Sequence, residues 1–106
     1  MSVLKVNKDN FSQVLNSTKP VLLDFYADWC GPCRSVSPLV DEIAEENSEF
    51  LVVKINVDDE PELSQSFAVT SIPTLVVLKN GKTADKHIGA CTKTQILKML
   101  EASASF

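Results

Sequence analysis

A chain of 106 residues, 44% apolar and 23% charged, has the length and composition of a single globular domain over 1–106. Its net charge of −4 argues against nucleic acid as a partner, since that affinity comes largely from Lys and Arg on phosphates. No apolar stretch approaches the ~20 residues of a membrane span, and the first residues lack the apolar core of a signal peptide, so a cytoplasmic setting without membrane contact is expected.

In chain order, residues 3–6 read as a short strand, and 9–17 as a helix with Phe11, Val14 and Leu15 on one face. Residues 20–27 form a nearly continuous apolar run, the pattern of a strand buried on both faces. A long helix is predicted over 31–47, with Val36, Leu39, Val40, Ile43 and Ala44 inward and Pro38 in its interior, where it removes the hydrogen bond to the Arg34 carbonyl and is expected to kink the helix. On that helix Asp41, Glu42, Glu45 and Glu46 read as a solvated face. Residues 50–57 are a second buried strand, and Pro61 suits the first turn of a short helix to about Phe67. Two strands, Thr74–Lys79 and Lys82–Ile88, flank Asn80-Gly81, a strong two-residue hairpin signal. Thr92 and Gln95 have the spacing of a capping box, opening a last helix with Ile96, Leu97 and Leu100 apolar. Strands alternating with helices and ending in a hairpin make an α/β fold, a mixed sheet covered by helices.

The chemistry concentrates at Trp29-Cys30-Gly31-Pro32-Cys33, between the second strand and the long helix. Residues three apart on a helix lie ~5–6 Å from one another at Cβ, a little above the ~3.5–4.5 Å of a disulfide. A modest adjustment of the first turn lets the sulfurs join. The unpaired N–H groups and partial positive charge of a helix N-terminus favour a thiolate, the reactive form, at Cys30. Cys33, one turn inside, is expected to be the less exposed of the two and to resolve what Cys30 attacks. Three cysteines make a poor structural set, because an odd number leaves one over.

Two charged residues interrupt apolar strands. Asp24 is either a strand-edge carboxylate reaching water or a buried one beneath Cys33, able to exchange a proton with it directly or through water. Burial would raise its pKa. Lys54 either snorkels to solvent along its stem or, if the second and third strands are neighbours, partly offsets the Asp24 charge.

Together these residues resemble the thioredoxin family. The match runs over nearly the whole chain: Asp24, Ala27, Trp29 to Cys33, Pro38, Lys54, Ile72-Pro73-Thr74, Asn80-Gly81 and Gly89-Ala90. The resemblance implies a thioredoxin fold, a central mixed sheet of about five strands flanked by about four helices. It implies a monomeric protein-disulfide reductase and electron carrier with no cofactor or metal beyond the Cys30/Cys33 pair. Its partners would be disulfide-containing target proteins and a thioredoxin reductase that returns the electrons. By the same resemblance Pro73 is cis and faces the two sulfurs, and Trp29, Ile72, Gly89 and Ala90 join it in a shallow substrate-docking surface. Asp24 is the proton acceptor and donor, Lys54 modulates it, and the Gly31-Pro32 dipeptide matches the reducing members and tunes the redox pair. The chain departs from the family at Tyr26, where many members carry a second tryptophan, and at His87 and Cys91, which are additions near Gly89.

Other readings are weaker. Cys30, Cys33, Cys91 and His87 offer the donors of a Cys₃His zinc site, but the last two would have to fold back onto a rigid Gly-Pro turn. A binding subunit that lends only its apolar surface is a second alternative, and an oxidase or isomerase of the same mechanism a third. Cys91 alone reads as an inert residue before the Thr92 cap, and His87 as a solvated strand residue.

Overall fold

A computed structural model describes residues 3–104. Nine elements follow in the order β1 (Val3–Lys5), α1 (Phe11–Leu15), β2 (Val21–Tyr26), α2 (Gly31–Glu46), β3 (Leu51–Asn56), α3 (Pro61–Ser66), β4 (Thr74–Lys79), β5 (Lys82–Ile88) and α4 (Lys93–Ala104). The five strands form one sheet in the order β1-β3-β2-β4-β5. β1, β3 and β2 are parallel to one another, while β4 runs antiparallel to β2 and to β5. The mixed α/β sheet expected from the sequence is present, and its strand count agrees.

Alternation along the strands divides the interior into two layers. Leu23, Phe25, Val53, Ile55, Val76 and Leu78 face Phe11 and Val14 of α1 and Leu63 of α3. Leu22, Val52, Leu75 and Val77 face Val36, Val40 and Ile43 of α2 and Ile96 and Leu100 of α4. β2 and β4, flanked on both sides, are buried along nearly their whole length, whereas edge strand β5 is largely exposed. The long apolar runs at 20–27 and 74–79 are therefore the signature of central strands covered on both faces.

Local signals account for most boundaries. Asn80 and Gly81 both have positive φ (54° and 78°), the geometry a two-residue primed turn needs. Thr92 N–H donates to Gln95 Oε1 at 2.8 Å and Gln95 N–H to Thr92 Oγ1 at 3.1 Å, the reciprocal capping box. α2 continues through Pro38 as one helix. α1 is shorter than the expected 9–17: the Asn10 side chain accepts from Asn7 N–H in a preceding turn and makes no cap, and Leu15 is exposed while Phe11 and Val14 are buried.

The strand order decides where the loops gather. Because β4 runs opposite to β2, the segment before β4 lies at the same sheet end as the segments after β2, β3 and β5. Four separate connections thus meet over the C-terminal end of β2, next to the start of α2. Open α/β sheets form crevices at such places.

Candidate active site

Cys30 is the N-cap of α2, with extended backbone (φ −87°, ψ 113°), and Pro32 occupies the first turn. Cys30 and Cys33 are joined by a disulfide with Cα atoms 5.3 Å apart. The Cys33 N–H donates to Cys30 Sγ at 3.2 Å, so the sulfur stands where a capping oxygen usually does and receives one of the helix's otherwise unpaired amides. The expected difference in exposure is absent: Cys30 is 4% and Cys33 5% exposed. In the disulfide both sulfurs share one small cluster with Ala27, against Tyr26, Val57 and Ile72, which covers them equally. The asymmetry of the pair lies in hydrogen bonding. A Cβ added to Gly31 meets nothing within 4 Å, leaving the space beside the disulfide open.

Of the two readings of Asp24, burial is the one observed, at 2% exposure, and Oδ1 has no hydrogen-bond partner. Asp24 continues the Leu22 row on the α2/α4 side of β2, beside Lys54 in the parallel register and opposite Leu75 in the antiparallel one. Loss of hydration pushes its pKa up to about 6; the nearby Lys54 charge opposes this and the Asp41 charge adds to it. Lys54 is largely buried rather than snorkelling, its side chain 15% exposed. Its Nζ donates to Ser37 Oγ at 2.6 Å and pairs with Asp41 Oδ1 at 2.7 Å.

The acidic face of α2 is exposed, as the sequence implies, but three of its four acids are paired. Asp41 binds Lys54, and Glu42 and Glu46 bind Lys93 of α4 at 3.0 and 2.6 Å. Helical spacing shows which acids share a face; it does not show which lysine another element brings to them.

Trp29 is 68% exposed, and its indole N–H donates to Asp58 Oδ2 at 2.8 Å. It walls a shallow cleft of about 340 Å³ with Ile72, Val57, Val69, Thr70 and Ser71. The Ile72–Pro73 peptide is cis, and Pro73 is buried. Gly89 N–H donates to the Pro73 carbonyl at 2.8 Å, which sets Gly89 and the exposed Ala90 alongside Pro73 but outside the cleft walls. Asp58 and residues 69–71 carry no motif that singles them out in the sequence. Their only signal is position, directly after β3 and directly before Ile72, at the sheet end where the connections meet.

Among the described residues no group of three or more His, Cys, Asp or Glu side chains is placed to hold a metal, so the Cys₃His set does not assemble. His87 is half-buried rather than solvated, with Nε2 3.3 Å from the Ala90 carbonyl oxygen. Cys91 is half-buried against the α2/α4 layer, and burial first, then the Asp24 charge, push its thiol up toward the protonated, unreactive form. No helix among the described residues is long and apolar enough to cross a membrane.

Comparison with known proteins adds sequence and shape. The family model described as Thioredoxin matches residues 2–102. The chain is similar to a protein named thioredoxin from Pyropia yezoensis, 51% identical over 94% of this chain and 95% of that one. It is also similar to the M-type chloroplastic thioredoxin of Chlamydomonas reinhardtii, 47% identical over 91% of this chain and 70% of that protein. Among solved structures, a mutant thioredoxin from Halobacterium salinarum NRC-1 superposes with a TM-score of 0.91 at 31% identity, covering 99% of this chain and 93% of that one.

Proposed function

The chain belongs to the thioredoxin family, and from that premise we propose a division of labour among its residues. The protein is a thioredoxin-type protein-disulfide reductase working through a redox-active disulfide. In the reduced form the Cys30 thiolate attacks one sulfur of a target disulfide; a Cys30–target bond forms and the other target sulfur leaves as thiolate. Cys33 loses its proton to Asp24 and attacks Cys30 Sγ, closing Cys30–Cys33 and expelling the second target thiolate. Two electrons have passed to the target. A thioredoxin reductase, the usual partner of the family, returns them and opens the pair for another round.

The observation that carries this reading is the sulfur of Cys30 capping α2 and accepting the Cys33 amide. The same donor stabilises a thiolate both before attack and as a leaving group. Gly31 and Pro32 tune the pair by leaving its outer side open and by withholding an N–H from the first turn. Trp29, Ile72, Pro73, Gly89 and Ala90 receive the target, with apolar contact in the cleft and main-chain hydrogen bonds beside Pro73. Lys54 modulates Asp24. We assign the protein to the cytoplasm as a monomeric electron carrier, where thiols are kept reduced; the chloroplastic name of one relative makes the plastid the alternative.

Insulin disulfide reduction tests the chemistry with dithiothreitol and the coupling with NADPH and a thioredoxin reductase. Cys30→Ser abolishes reduction, and Cys33→Ser accumulates mixed disulfides visible on non-reducing gels. Equal loss in both variants without trapping contradicts the assigned roles.

A further inference from the structure

Cys33, Ser37 and Asp41 stand four residues apart along α2 and so share one stripe of the helix. Lys54 reaches that stripe from β3, 2.6 Å from Ser37 Oγ and 2.7 Å from Asp41 Oδ1. Its neighbour in the sheet register is Asp24, on the same α2/α4 side. Even so, Asp24 Oδ1 is without a partner, and the ion pair Lys54 makes among the described residues is with Asp41. The buried ammonium is thus held by the helix, not by the adjacent carboxylate.

We propose that Asp41 and Ser37 are positioning residues for the redox step: they tether the Lys54 ammonium to α2 and weaken its hold on Asp24, leaving that carboxyl able to accept and return the Cys33 proton. The inference rests on the reading of Asp24 as proton acceptor. An ammonium within ~4–6 Å of a carboxylate, free to pair with it, holds the carboxylate ionised and makes it a weak base. A lysine shared with a second acid holds it less. The charged and titratable groups that act on Asp24 are Lys54 from β3, Asp41 from α2 and Cys91 from the segment after β5, while β4 presents the apolar Leu75. The directions are consistent: Lys54 lowers and Asp41 raises the Asp24 pKa. Asp41 is half exposed, 52% at its side chain, so Asp41→Asn keeps shape and removes only charge.

Carbon NMR titration of the Asp24 carboxyl in the oxidised protein reads the effect directly. In Asp41→Asn the midpoint falls by roughly one pH unit as Lys54 turns to Asp24, and in Ser37→Ala it falls by less. In Lys54→Met it rises, and adding Asp41→Asn to Lys54→Met moves it far less than in wild type. Asp41→Asn also slows release of a target from its Cys30 mixed disulfide by roughly two- to fivefold near neutrality. An Asp24 midpoint unmoved in both Asp41→Asn and Ser37→Ala overturns the proposal, as does an equal Asp41→Asn effect with and without Lys54. Either result leaves the reductase reading intact. That reading of Asp24 fails separately, if Asp24→Asn releases targets at the wild-type rate.

Discussion

Asp24, the proposed proton acceptor, also sets a pH dependence of the fold. Its folded pKa of about 6 lies above the ordinary 3.8 because burial disfavours the charge. Well below pH 3.8 the carboxyl is protonated in both folded and unfolded chains and costs nothing. As pH rises toward 6 the unfolded chain releases its proton first, so stability falls, and above 6 the loss is complete. At 1.36 kcal/mol for each pH unit the full loss is about 3 kcal/mol. Asp24→Asn therefore stabilises the protein by roughly 1–3 kcal/mol at pH 8, less whatever the unpaired amide costs, and the gain shrinks to about half a kcal/mol by pH 4. Urea unfolding of both proteins at pH 4, 6 and 8 measures it; a difference that does not change with pH removes the buried-carboxylate argument. The sequence leaves burial and a solvated strand edge as equal readings of Asp24. Choosing between them requires knowing that α2 and α4 both cover that face of β2, which depends on contacts far apart in the chain. Lys54 is legible as an intrusion, but its partners are not, because Asp41 and Ser37 come to it only through the packing of α2 on β3.

Elements whose ends are fixed by neighbouring residues are readable, and those whose ends depend on distant packing are less so. The Thr92/Gln95 box and the Asn80-Gly81 turn each need only a few consecutive residues, and both appear as expected. α1 starts late because Asn7 and Asn10 bond to each other in a turn, a local competition between side chain and backbone that helical periodicity does not register. The box on α4 has a mechanical consequence. Ile96 and Leu100, both fully buried, fix α4 against α2 and the sheet, and the cap determines where that helix begins relative to Gly89-Ala90. Thr92→Ala removes an acceptor for the Gln95 amide and costs about 1 kcal/mol. The urea midpoint falls accordingly, with an unchanged denaturant slope since the same surface is buried. Insulin reduction stays near wild type, because Thr92 lies outside the cleft walls and the disulfide cluster.

A protein that cycles between dithiol and disulfide needs a fold that tolerates both. The two large core layers supply it: Leu23, Phe25, Val53 and Ile55 on one face of the sheet, and Leu22, Val52, Leu75 and Val77 on the other, hold the strands without help from either sulfur. The cysteines belong to a separate small cluster at the sheet end, with Ala27 as its one other buried member. Their sequence separation is 3, so the loop the disulfide closes is very short. In the chain-entropy account such a loop restrains the unfolded chain by only about 2 kcal/mol. Removing one buried leucine from either layer costs more, roughly 2–5 kcal/mol. The reduced protein is therefore expected to unfold cooperatively, with its urea midpoint lower than that of the oxidised form by no more than that small difference. Unfolding curves with and without excess reductant measure it. If reduction instead abolishes the cooperative transition, the two layers do not hold the sheet on their own, and opening the disulfide during turnover would be coupled to unfolding rather than to a local change at the tip of α2.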